Sequence, residues 1–158
     1  MAKRAFGLAM AVLLVGATTA WAAPRLIEVR CEGTVGSPST GTCRGSGLGK
    51  ADFSTSLTTG AAAYALPSGG SCDAADGSTT FSRAGDDLIV ELAGVVCDMG
   101  LVAVGTVLLP NDVFQGAYRV DGDSSTGRYA GNRGAGDAII ELGGDGELNG
   151  YYNGSLNR

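Results

Sequence analysis

The chain has 158 residues, 27 of them glycine and 4 proline, with 44% hydrophobic and 17% charged residues; the glycine argues for many turns and the apolar content for a packed core. A formal net charge of −5 excludes the basic footprint on which nucleic-acid binding rests. Histidine is absent, which excludes imidazole triads, imidazole metal sites and the ordinary histidine pH switch.

Residues 1–22 read as an export signal, with Lys3 and Arg4 first, an apolar run from Ala5 to Gly16, and Ala20-Trp21-Ala22 matching the small-x-small cleavage rule. The run is shorter than the ~18 to 20 residues that a spanning helix needs. Cleavage is therefore expected, leaving residues 23–158 as one secreted or periplasmic domain with no membrane span.

Strand patterning runs through the mature chain. From Arg25 to Cys31, Ile27, Val29 and Cys31 alternate with Glu28 and Arg30, as in a half-buried strand. A second strand is expected around Ala51 to Leu57. Thr59 to Leu66, with three consecutive alanines, reads as a short helical turn. Thr79 to Arg83 and Leu88 to Val96 form a hairpin across Ala84, Gly85, Asp86 and Asp87. Asp98, Met99 and Gly100 then break the chain before Leu101 to Leu109, which is apolar on both parities and reads as a central strand covered on both faces. Pro110, Asn111 and Asp112 break it again, and Val113 to Val120 places Phe114, Gly116, Tyr118 and Val120 on one face. After a polar loop from Asp121 to Gly127, further strands are expected around Arg128 to Gly131, at Ala135 to Leu142, and at Leu148 to Leu156, the last two separated by Gly143, Gly144, Asp145 and Gly146. About eight short strands argue for an all-β chain closed into a single antiparallel barrel, since closure removes sheet edges.

Cys31, Cys43, Cys72 and Cys97 all lie in the mature part, and an even count in an exported domain reads as two disulfides. Three connectivities are open. Cys31 with Cys43 and Cys72 with Cys97 is favoured, because Gly33 to Gly41 supplies a turn-rich loop and the second span encloses the expected hairpin. A zinc site is disfavoured, with no CxxC spacing and no histidine; no metal or other cofactor is expected.

Ala84-Gly85-Asp86-Asp87-Leu88-Ile89-Val90-Glu91-Leu92 is echoed by Ala135-Gly136-Asp137-Ala138-Ile139-Ile140-Glu141-Leu142, an echo of shared strand patterning. Parity puts Glu91 beside Ile89 and Glu141 beside Ile139, so each strand carries one carboxylate on an apolar face. The opposite face, with Leu88, Val90 and Leu92 matched by Ile140 and Leu142, is an unbroken apolar row. That row is expected to point inward and both glutamates outward.

Phe114 to Val120, a polar turn, and then Thr126-Gly127-Arg128-Tyr129-Ala130-Gly131-Asn132-Arg133-Gly134 resemble the signature of the allene oxide cyclase and dirigent barrels, and most of all a group of small exported bacterial proteins with an allene oxide cyclase barrel-like domain. Cys72, the phrase Phe81 to Leu88 and Cys97 fit the same pattern. The resemblance covers about residues 25–158 and implies an eight-stranded calycin-type barrel. In it Thr126, Gly127, Arg128, Tyr129, Ala130, Gly131 and Gly134 are the motif residues. Ser124 and Ser125 depart from the family's paired glycines, which bears on the turn geometry. The superfamily's plant enzymes steer reactive intermediates in an apolar cavity, but none of their pocket residues is identifiable here, and fold does not carry activity.

Three other motifs carry bland readings. Arg44 to Lys50 imitates a phosphate loop but has Arg44 and Ala51 where Gly and Ser or Thr are required. Asp121, Asp123 and Ser125 imitate the start of a calcium loop, yet Thr126 and Asn132 occupy its Gly and Glu positions. Asn153-Gly154-Ser155 is a glycosylation sequon equally explained by turn or bulge chemistry. The favoured function is a non-enzymatic exported barrel, binding a small apolar ligand in its lumen or a partner on its surface, with oligomeric state open. The alternative is a cyclase or isomerase-type enzyme acting inside the barrel, with Glu91 or Glu141 and Tyr118 or Tyr129 as acid and base.

Overall fold

The computed structural model of the chain describes residues 24–66, 70–104 and 107–157. The expected export signal lies outside them. Eight antiparallel strands, β1 (Arg25–Thr34), β2 (Ser39–Gly45), β3 (Gly49–Ala65), β4 (Ser71–Arg83), β5 (Asp86–Val104), β6 (Val107–Val120), β7 (Arg133–Gly143) and β8 (Glu147–Asn157), follow one another around a closed barrel. Each strand pairs with the next, and β8 closes the ring on β1, from Arg25 opposite Leu156 to Thr34 opposite Glu147.

Alternation builds the wall. In β1, Ile27, Val29 and Cys31 are buried while Glu28, Arg30 and Glu32 are exposed, the period of two that a half-covered strand requires. The same alternation in β5 and β7 turns Leu88, Val90, Leu92 and Ile140 into the lumen. The β4–β5 hairpin closes on only two residues, Ala84 and Gly85, both with positive φ (54° and 86°). That conformation matches the twist of the flanking strands, and the alanine accepts it because the turn demands it. Inside, Phe81 meets Tyr152 edge-on at 5.1 Å and Tyr118 meets the same ring at 6.0 Å, the geometry that aromatic quadrupoles favour. Leu48, from the β2–β3 turn, is buried, and its carbonyl accepts a hydrogen bond from the Arg83 guanidinium at 2.6 Å.

Both disulfides form as favoured, Cys31 with Cys43 and Cys72 with Cys97. Each joins residues directly opposite in register, on β1 and β2 and on β4 and β5. Strand parity turns Cys31 and Cys43 into the lumen and puts the second bridge on the outer wall, where the Tyr64 hydroxyl lies 3.9 Å from the Cys97 sulfur.

Five expectations need correction. Ser39–Gly45, partly assigned to a loop, is strand β2. The expected helical turn from Thr59 to Leu66 continues β3 as strand to Ala65, because pairing with β4 outweighs alanine's helix propensity across bulges at Thr59/Ala62 and Ala62/Tyr64. β4 begins at Ser71, well before Thr79. Leu101 to Leu109 is not one central strand: it is shared between β5 and β6, with Val104 opposite Val107, and the expected breaks on either side are absorbed by a bulge between Asp98 and Leu101 facing Pro110. The strand expected around Arg128 to Gly131 is absent: Gly127–Tyr129 is a single 3-10 turn, and the next strand begins at Arg133.

Candidate functional site

Among the described residues, the lumen around Phe81, Tyr118 and Tyr152 is filled by side chains. The cavity there, bounded by Ile27, Leu48, Phe81, Leu88, Tyr118 and Tyr152 among others, measures about 10 Å³. That is the space of one water at most, and far below the several hundred Å³ of a small-molecule site. The polar groups within are mostly paired with one another. The Tyr152 hydroxyl lies 2.8 Å from Thr79 Oγ1, which lies 2.6 Å from Thr55 Oγ1, and Thr55 donates to the Ser78 carbonyl at 3.1 Å. This hydrogen-bond chain ends on the backbone. Burial pushes the Tyr152 phenol up to about 12 in spite of these bonds. Tyr118 is also pushed up to about 12, by burial first and then by the charge of Asp137, and its hydroxyl has no partner.

The carboxylates lie on the other side of the wall. Glu91 is exposed and receives two hydrogen bonds from Arg119, its register partner on β6, the shorter at 2.6 Å. Glu141 is half-buried on the outer face of β7, where Ile140 beside it is fully buried. Tyr118 and Tyr129 are buried. Leu92 is the register partner of Tyr118, so Glu91, one residue away, faces the opposite side of the sheet from Tyr118. The carboxylate and phenol named for acid and base are thus separated by the barrel wall. They do not form a proton-transfer pair, whose heavy atoms must approach within about 3 Å.

The motif residues form a structural clasp. Thr126 donates its N–H to the Asp87 carbonyl (2.8 Å) and its Oγ1 accepts from the Asp87 N–H (2.9 Å). Ser125, buried, accepts from the Ile89 N–H at 3.0 Å and donates to the Asp121 carbonyl at 2.6 Å. A glycine at this position could make neither bond. Arg128 donates to Asp86 at 2.6 Å, and this hydrogen bond holds the carboxyl below its ordinary range. Gly127 sits at φ +54°, and an added Cβ would collide with the Asp86 carboxylate, so glycine is required there. Tyr129 is buried behind this turn, Ala130 caps it, Gly131 donates to the Gly122 carbonyl (2.8 Å), and Gly134 pairs with Leu156 of β8, next to the first pair, Arg133 with Asn157. Asp121 Oδ1 accepts from the N–H groups of Asp123 and Ser124 (both 3.1 Å), and the Ser124 side chain first, then these backbone bonds, hold its carboxyl low. The resemblance to a calcium loop is thus an aspartate closing its own turn.

Two features of the outer wall escaped sequence reasoning. An open depression of about 440 Å³ lies over β4–β6 between Asp76, Glu91 and Arg119, with Gly77, Ala93 and Ala117 as its floor. Beside it, Ile139 and Tyr151 are exposed, at 40% and 43%. Ile139 lies on the face expected to point outward with Glu141, and the signal for Tyr151 is parity alone, out of phase with Tyr152 and Leu148. Among the described residues there is no group of three or more potential metal ligands and no helix long and apolar enough to cross a membrane. Two disulfides fit a compartment outside the reducing cytosol. No family model, curated protein or solved structure matches the chain.

Proposed function

We propose that the chain is an exported, non-enzymatic binding module whose barrel is a scaffold and whose outer wall meets the partner. The observation that carries this reading is the filled lumen, with a cavity of about 10 Å³. A small apolar ligand, expected for an eight-stranded barrel of this kind, would have to displace Phe81, Tyr118 or Tyr152. The division of carboxylates outside from tyrosines inside argues against the cyclase or isomerase alternative. The likeness of Thr126 to Gly134 to the exported allene oxide cyclase barrel-like proteins supports a shared shape, and the clasp formed by those residues supports their being kept for folding. The signal-like residues 1–22 and the two disulfides support secretion or residence in the periplasm.

A thermal-shift series with fatty acids, isoprenoid alcohols and sterols tests this. A lumen ligand at 100 times its Kd would add about 2.7 kcal/mol and raise Tm by several degrees. The expected change is below about 1 °C for every compound. A rise of about 5 °C or more with any of them would restore the lumen as the site.

A further inference from the structure

We propose that the outer wall of β7, β8 and β1 is a binding surface for a neutral glycan chain, centred on Tyr151. This deepens the outer-wall reading by naming the partner's chemistry. Because Tyr152 points into the lumen, Tyr151 points out, and the ring stands on an open sheet face at 43% exposure with the Arg30 guanidinium 6.0 Å from its centroid. Register fixes what surrounds it. Asn149 and Asn153 flank it two residues away along β8, on the same face. Ile139 lies opposite it on β7 and Arg30 on β1. At the four corners, Asp137 and Glu28 lie opposite Asn153, and Glu141 and Glu32 opposite Asn149.

An aromatic platform ringed by amides and carboxylates is the chemistry that a sugar chain calls for. The C–H face of a pyranose covers apolar aromatic surface, while planar amide and carboxylate groups pair with adjacent hydroxyls as donors and bidentate acceptors. Of the four corner carboxylates only Glu28 has a cation within ion-pair distance among the described residues, Arg30 at 3.6 Å, so the others are free to accept. Arg30, Arg44 and Lys50 are register partners in one exposed cross-strand row, so four carboxylates and three cations nearly balance around the platform, which suits a neutral chain over a charged one. The shape favours a chain over a single sugar. Ala93, Ala117, Asp137 and Asn153 are register partners in one cross-strand row. That row joins the floor of the depression, Ala93 and Ala117, to Asn153 beside Tyr151, across three strand spacings or about 14 Å.

Affinity electrophoresis in gels containing hydroxyethyl cellulose, a soluble β-1,3-glucan, a mannan or a galactomannan, with alginate as the anionic comparison, tests the proposal. The intact protein should be retarded by at least one neutral polysaccharide. Tyr151→Ala should weaken the interaction at least tenfold and Tyr151→Phe should restore it. A double Asn149→Ala, Asn153→Ala variant should weaken it severalfold, and the inner-wall change Tyr118→Phe should leave it unchanged. Retardation by none of the neutral polymers, by alginate alone, or equally by Tyr151→Ala would overturn it. The thermal-shift series reads the lumen separately, so a failed glycan assay and a failed outer-wall reading are distinguishable.

Discussion

Phe114 and Gln115 are neighbours on β6, and they belong to different molecules in all but covalent connection. Phe114 is fully buried between β5 and β7, opposite Val96 and Ile140, while Gln115 is exposed opposite Val95 and Ile139. The same division runs around the barrel. The inner wall carries phenylalanines, aliphatic groups and two tyrosines whose hydroxyls cannot ionise in the ordinary range, whereas the outer wall carries most of the carboxylates, the Glu91–Arg119 pair and the Tyr151 platform. In this barrel the interior supplies stability, and the chemistry available to a partner is outside.

The largest effect that would break this contrast is on packing. Phe114→Ala should cost about 3–5 kcal/mol by denaturant unfolding, as a cavity opens in a filled lumen, while Gln115→Ala should stay within about 0.5 kcal/mol. Similar losses for the two would mean that the walls are not distinct. A smaller effect comes from pH. The Tyr152 phenol stands at about 12 in the folded barrel against an ordinary 10, so its native-state pKa is raised. Its contribution is complete below pH 10 and is lost as pH rises toward 12, up to about 2.7 kcal/mol over two units. Unfolding midpoints measured from pH 9 to 11.5 should fall more steeply for the native protein than for Tyr152→Phe; identical slopes would contradict the buried assignment. The smallest effect belongs to the outer carboxylates. Glu91→Gln and Glu141→Gln should each change stability by no more than about 0.5 kcal/mol, because an exposed ion pair such as Glu91–Arg119 is worth little. A loss above about 2 kcal/mol would mean an inward carboxylate.

The inner wall was the easier half to read. Period-two alternation in β1, β5, β6 and β7 places Ile27, Val29, Leu88, Val90, Phe114 and Ile140 on the core side without any knowledge of neighbours, and burial agrees. The cysteine pairing followed from the turn and hairpin enclosed. What escaped were segments whose state depends on a partner strand. β2, with threonine and glycine alternating around Cys43, has one apolar residue in its seven, and it is a strand because β1 and β3 flank it. The alanines of β3 are held extended by β4. The Leu101 to Leu109 run carries no parity, so nothing in its pattern marks it as shared between two strands. The Tyr151 surface was missed for a related reason. Its members come from β7, β8 and β1, and only closure of the barrel between the last strand and the first brings Glu28, Arg30 and Glu32 beside Asn149, Tyr151 and Asn153.

The central claim, a filled interior with function outside, is met most directly by native mass spectrometry of the protein purified from its own host without organic solvent. The account predicts a single species at the mass of the polypeptide with two disulfides and no bound small molecule. A stoichiometric lipophilic adduct, released on denaturation and absent from a variant with a bulkier lumen such as Ala138→Phe, would contradict it.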